Sequence, residues 1–484
     1  MPARLPPIRL APNCLCGFRL RDVRPAGAWL ARCVAGLLAV ILAVQAAVAQ
    51  SILRDAETEA LFRDLSAPLI AAAGLEPANV DIVLVNDPSI NAFVAGGQAV
   101  YLNSGLIGAA DDANEVQGVI AHELGHVTGG HAVLNAGANE ASGISIASLL
   151  LGALAMAAGG GPAAMGILAA GQQAALGKYL AYSRTQESSA DAAGAGFLAK
   201  AGISGRGSVE FFKKLQNQEF RYGYYSEDPE AQFYQTHPSS GDRIATLTEV
   251  YQRDPAWGRP IDPLLEARFE RIKAKLYGYL AEPELTLRAF PESDTRIPAR
   301  YARAYAFHKE ALIDKALGEA DALLRQAPND PYFLELKGQI LLESGRPREA
   351  LGPLRRATQL TGNNPLIASL FGHALIATED KAMFAEAERV LKAAVARDRD
   401  NPFAWYQLGV IYEARGDTPR ARLASAEQQV LSRQMPAALR SAQAAEAALP
   451  KGSPDWLRAQ DIAAQARAAI EQDKKKKKNG RGDG

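Results

Sequence analysis

The sequence predicts an α+β protein, mostly helical, with a first domain built on a small sheet and an α-solenoid of helix pairs behind it. Two patterns predict this. Short apolar stretches and a Gly-Gly turn between residues 80 and 103 lead into a helix-periodic segment carrying His122-Glu123-Leu124-Gly125-His126. From about residue 300 a helix-turn-helix period takes over. At 484 residues the chain is too long for one hydrophobic core, so two or three domains are expected.

The first fifty residues carry six Arg and one acid, Asp22. An apolar run, Cys33–Val44, follows, and then Ala47-Val48-Ala49. A basic region, a short apolar region and an A-x-A site read as a secretory leader, residues 1–49. The run is shorter than the ~20 residues a span needs, so cleavage is the expectation over a retained anchor. Removing the leader from 53 basic and 53 acidic residues leaves 47 and 52, a mildly acidic chain. All three cysteines, Cys14, Cys16 and Cys33, leave with it. Disulfides and thiolate ligands are thereby excluded, and a metal would have to be held by His and carboxylate. Nothing in the charge balance points to nucleic acid.

Residues 51–78 read as an amphipathic helix and Val80–Asn86 as a strand. Asn91–Val94 and Ala99–Asn103, joined by Gly96-Gly97, read as a hairpin. A helix starts near Gly105. The motif helix follows and ends at Gly129-Gly130. Residues 141–177 contain no charge and break at Gly159-Gly160-Gly161-Pro162. They read as a buried or interfacial insertion, with peripheral membrane contact, rather than a span.

In the second half, Asn329-Asp330-Pro331, Asn363-Asn364-Pro365 and Asp400-Asn401-Pro402 each open a unit. Gly338, Gly372 and Gly409 each lie seven residues after the Pro, and the units are spaced by 34 and 37 residues. The excess is a loop insertion around Thr378–Met383. This period, with Pro at the boundary, resembles tetratricopeptide repeats, whose units stack because none buries its apolar face alone. Five consecutive lysines, Lys474–Lys478, mark a tail expected to be disordered.

The chemistry centres on the motif. His122 and His126, at i and i+4, put two imidazoles on one helix face, where one metal ion can accept a nitrogen from each. Glu123 is placed to take a proton from the attacking water. His131 does not fit the longer HExxHxxGxxH pattern, which needs His where Ala132 stands. It reads as a surface residue or one supporting a ligand. A third ligand must lie further on. Glu187 is the leading candidate, with Asp191 at i+4 placed to accept a ligand's ring N–H. An ordinary acid pair at a helix start is the other reading.

The segments NAFVAGGQAVYLNSGLI, VIAHELGHVTGGH, SRTQESSAD and THPSSGDR occur in this order. Together they resemble the gluzincin zinc metallopeptidases of the HtpX and Ste-type family. The resemblance implies a gluzincin-type peptidase domain holding one Zn2+ per chain through His122, His126 and Glu187. It implies roles for His237 as a residue that can take the water's place, and for Arg243 as an oxyanion stabiliser. It implies that Ala99, Val100, Tyr101, Leu102 and Asn103 form the edge strand that pairs with substrate, with Asn91 orienting at most.

The domains expected are a leader (1–49), a peptidase domain (50–280), a linker (281–300), repeats (301–471) and a basic tail (472–484). With the leader and the repeats, the resemblance implies a periplasmic zinc endopeptidase. Its substrates would be unfolded or misassembled envelope proteins, and its repeats would bind clients or outer-membrane assembly machinery. Two rival readings are a chaperone or scaffold with a latent peptidase, and a protease anchored through 141–177.

Overall fold

The computed structural model describes residues 51–131, 183–222 and 241–479. The leader, the uncharged segment 141–177 and His237 fall outside the described residues. No helix among the described residues is long and apolar enough to cross a membrane.

The described residues start with β1 (Ser51–Leu53), where the sequence suggested helix. It pairs antiparallel with β2 (Asp81–Asn86), Ile52 facing Val85. Helix α1 (Ala56–Ala72) begins only after Asp55, whose carboxylate accepts the Thr58 N–H at 2.8 Å. That N-cap fixes the strand-to-helix switch.

β3 (Ala92–Ala95) and β4 (Ala99–Asn103) form the expected hairpin. Gly96 and Gly97 turn it with φ of 65° and 102°, a region that favours glycine. The sheet order is β1-β2-β4-β3. This corrects one expectation. Ala99, Val100, Tyr101, Leu102 and Asn103 are not an edge strand, because β2 bonds to one side of β4 in parallel and β3 bonds to the other. The Gly-Gly turn that makes the hairpin is what covers that flank. Among the described residues the edge strands are β1 and β3.

Helices α2 (Ser104–Ala109) and α3 (Ala113–Thr128) follow. Asp112 caps α3 by accepting the Glu115 N–H, and Glu115 returns to accept the Asp111 N–H at 2.9 Å. Every residue from Ala113 to His126 is buried. The first core gathers α1, the sheet, α2, α3 and helices α4 (183–201), α5 (Arg206–Tyr222), α6 (Gly241–Gln252) and α7 (Pro263–Leu280).

Residues 281–300, read as linker, hold α8 (Pro283–Ala289) and the start of α9 (Ile297–Lys309). Tyr277 and Phe290 pack edge to face there, so the connection is built rather than loose. The solenoid pairs α9 with α10 (Ile313–Gln326), α11 (Pro331–Glu343) with α12 (Pro347–Leu360) and α13 (Pro365–Ala377) with α14 (Phe384–Arg397). It continues with α15 (Pro402–Ala414), α16 (Thr418–Leu431), α17 (Met435–Ala448) and α18 (Pro454–Asn479). Helix α18 carries the lysines, so 472–479 are helical where disorder was expected.

Asp330, Asn364 and Asn401 cap α11, α13 and α15, each with Pro at the first turn. A Cβ on Gly338 would stand 2.4 Å from Leu354 Cγ, and one on Gly372 2.6 Å from Leu391 Cγ. The recurring Pro starts the first helix of a unit, and the recurring Gly lets the second lie close against it.

The two cores meet at the start of α1. The Lys275 ammonium donates to Glu57 Oε2 at 3.2 Å and to Asp55, and the Tyr301 hydroxyl donates to the same Glu57 oxygen at 2.8 Å. Arg271 bridges Glu57 and Asp330. Ala56 packs among Ala357 and Ile367 of the solenoid.

Candidate metal centre

The site is made where α4 crosses α3. A Cβ on Gly125 would meet Ala190 O at 2.5 Å, and one on Gly194 would meet Ala121 at 3.0 Å. Two glycines therefore let the helix backbones touch. Ala190 lies between Glu187 and Asp191, so this contact presses both acids onto the His122–His126 face. Helix α5 closes the other side, with a Cβ on Gly118 held 2.6 Å from Ser208 Cα.

His122 Nε2 and His126 Nε2 lie 3.1 Å apart. Glu187 Oε2 is 3.4 Å from His122 Nε2, and Glu187 Oε1 is 3.3 Å from His126 Nε2. These ligand-capable atoms all fall within 4.8 Å of one another, and the residues are buried. A tetrahedral ion bound at about 2.0–2.1 Å spaces its ligand atoms roughly 3.3 Å apart. Two imidazole nitrogens and one carboxylate at that spacing fit such an ion, with a position left for water or substrate. The three residues can hold a metal. Glu123 follows His122 on the helix and is 1% exposed.

Asp191 Oδ1 sits 2.9 Å from His122 Nδ1. Burial pushes the His122 imidazole down, but Asp191 and Glu187 outweigh it and, without an ion, carry it up to about 10. Burial likewise raises the Asp191 carboxyl, and Arg243 with His122 reverses this, holding it below the usual carboxylate range.

Arg243 makes contacts that the sequence did not suggest. Its guanidinium donates to Asp191 Oδ1 at 2.8 Å, bonds Asp191 Oδ2 as well, and lies 3.0 Å from Glu187 Oε2. It stacks over Phe212, whose ring also edges His122 at 5.8 Å. A fork turned onto two carboxylates orients them.

Sequence reasoning missed the Arg243–Glu187 contact and Phe212, and left His131 open between a surface residue and one supporting a ligand. His131 Nδ1 lies 2.9 Å from His126 Nδ1. Burial and the neighbouring His126 push the His131 imidazole down. Gly125 inside the motif and Gly129-Gly130 after it were the available signals. Asn91 is buried, and its carbonyl accepts the Asn103 N–H at 3.0 Å.

A buried His-His-Glu cluster on an H-E-x-x-H helix, under a small sheet, defines a metallopeptidase domain. Residues 33–251 match the model of Peptidase family M48, and the helix pairs of the solenoid follow the matched stretch. The beta-barrel assembly-enhancing protease of Yersinia pestis is 25% identical over 401 residues, 81% of this chain and 79% of that one. A Vibrio cholerae relative carrying the same name in provisional form is 26% identical over 294 residues, 59% of each chain. This chain therefore spans less than two thirds of the Vibrio relative's length. Metalloprotease LoiP of Escherichia coli is 31% identical over 182 residues, 37% of this chain and 65% of LoiP.

Proposed function

We propose that the chain is a periplasmic zinc endopeptidase acting on unfolded or misassembled envelope proteins, which its repeats help to bind. The observation that carries the peptidase reading is the donor set, whose spacings of 3.1, 3.3 and 3.4 Å are those a tetrahedral ion imposes. His122, His126 and Glu187 would hold one zinc. Two His and a carboxylate are borderline-soft and hard donors that suit it. The relatives named for beta-barrel assembly support an envelope setting.

When bound, the ion supplies Lewis-acid polarisation of the attacking water and the scissile carbonyl. The protein supplies the rest. Glu123 takes the water's proton on its carboxylate and passes it to the departing amine. Asp191 accepts the His122 Nδ1–H, which leaves Nε2 as a lone-pair donor. Arg243 holds Asp191 and Glu187 in place. The edge strand β3 packs along α3 and offers its outer rim to an extended substrate backbone. Phe93 of β3 stacks on Tyr101 of β4 at 5.0 Å, which stiffens that rim.

Glu123→Gln tests the reading. The variant should fold, bind zinc as the parent does, and lose casein cleavage by about a thousandfold, as removal of a general base does. Unchanged cleavage by the zinc-loaded variant would refute the assignment.

A further inference from the structure

His122 and His126 are supported differently. His122 Nδ1 faces the Asp191 carboxylate, whereas His126 Nδ1 faces a third imidazole. The rings of His126 and His131 meet edge to face, with centroids 4.9 Å apart and planes at 74°.

The end of α3 creates this contact. Gly130 turns the chain with φ of 66°. The His131 N–H then bonds His126 O at 3.1 Å, and the Gly130 N–H bonds Val127 O at 3.1 Å. These are the 6→1 and 5→2 bonds of the helix ending that brings the residue after the turn back onto the last turn. In that ending the returning side chain usually makes an apolar contact. Here both members of the contact are histidines. Gly129 leaves room for it, because a Cβ there would stand 2.5 Å from His131 Nε2.

The proton count follows from the atoms. His126 Nε2 is turned to His122 and Glu187, so as a ligand it must present a lone pair there. Its proton is then on Nδ1. His131 Nδ1, at 2.9 Å, must accept it and carry its own proton on Nε2. We infer that His131 is a positioning residue that fixes the tautomer and ring plane of His126, so that one metal ligand is backed by a carboxylate and the other by a neutral imidazole. This rests on His126 binding zinc through Nε2.

The test measures zinc binding by the full chain in competition with a chromophoric chelator, together with the visible absorption of the cobalt(II)-substituted protein. His131→Leu keeps a bulky side chain at the helix ending but removes the acceptor. It should weaken zinc binding about ten- to hundredfold and shift the cobalt bands, as loss of a partner behind a ligand does. His131→Asn, whose amide oxygen can take the Nδ1 position, should recover most of the affinity. Gly129→Ala has a backbone that tolerates Ala, with φ of −74°, yet it displaces the His131 ring and should weaken binding as His131→Leu does. If the parent binds zinc in a Glu187-dependent way and His131→Leu binds equally well, or if Asn is no better than Leu, this inference is overturned and the peptidase reading stands. A parent that shows no Glu187-dependent zinc binding overturns both.

Discussion

Gly125 and Gly338 each allow two helices to touch, but they face different things. A Cβ on Gly125 would meet Ala190 O at 2.5 Å and Ala190 Cα at 2.8 Å, all backbone of α4. A Cβ on Gly338 would meet Leu354 Cγ at 2.4 Å, a side chain. A leucine can change rotamer and let a neighbour in, at some cost in packing. A helix backbone can only move as a body. The crossing at the candidate metal centre is therefore the unforgiving one, and what it positions is Glu187 and Asp191. The solenoid crossings hold a core together.

The largest effect is expected at Gly125→Ala. Helix α4 must be pushed away from α3, which carries Glu187 off the two histidines. Zinc affinity should fall by about a hundredfold or more, beyond what loss of an outer partner alone costs, and peptidase activity should fall with it. Chelator competition and casein turnover measure this. A variant with parental zinc affinity would show that α4 has more freedom than its contact with Gly125 implies.

The same contrast explains what could be read in advance. The motif histidines, the Gly-Gly hairpin and the Pro–Gly register of the repeats are local patterns, and each has a local cause visible in the chain. The β4 pairing is not local. Nothing in Ala99–Asn103 says that β2 will join its free side, so the strand read as an edge was placed wrongly. Arg243 was expected to stabilise an oxyanion, and its ion pairs with Glu187 and Asp191 could not be foreseen because those partners come from another helix. The contact behind His126 was legible in principle. The spacing from His126 through Gly129-Gly130 to His131 is that of a helix ending that returns, but this shows only once the helix is known to stop there.

Within the solenoid the comparison can be sharpened. Gly338→Ala and Gly372→Ala should each destabilise by about 1–2 kcal/mol, an overpacking cost partly offset by helix propensity. Their neighbours Leu354 and Leu391 are wholly buried. Gly409 occupies the same register but faces Ala424, and a Cβ there would sit 3.7 Å away in ordinary contact. Gly409→Ala should therefore stabilise by about 0.5–1 kcal/mol, the propensity gain alone. Thermal or urea unfolding of the three variants measures both signs. Equal effects at all three positions would show that the recurring glycine serves something other than this packing.

The seam between the two regions differs from both, because it is electrostatic. Asp55, Glu57 and Lys275 meet there, and Glu335 on α11 lies near them with a covered Oε2 that has no hydrogen-bond partner among the described residues. Burial raises the Glu335 carboxyl, Lys275 pulls it back, and Asp55 and Glu57 push it up again, to about 8 from an ordinary 4.5. The folded chain thus holds this proton more tightly than the unfolded chain. Its contribution to stability is fully present below about pH 4.5 and is lost as pH rises through 8. Glu335→Gln keeps the shape without the charge, so it should change little at pH 4.5 and stabilise by about 1 kcal/mol at pH 9, the lower end of the cost of a covered, unpaired group. Melting temperatures of parent and variant across that range decide it. A gap that does not widen with pH would mean that the carboxylate finds water or a cation at the seam, and that the junction is looser than the crossing at Gly125.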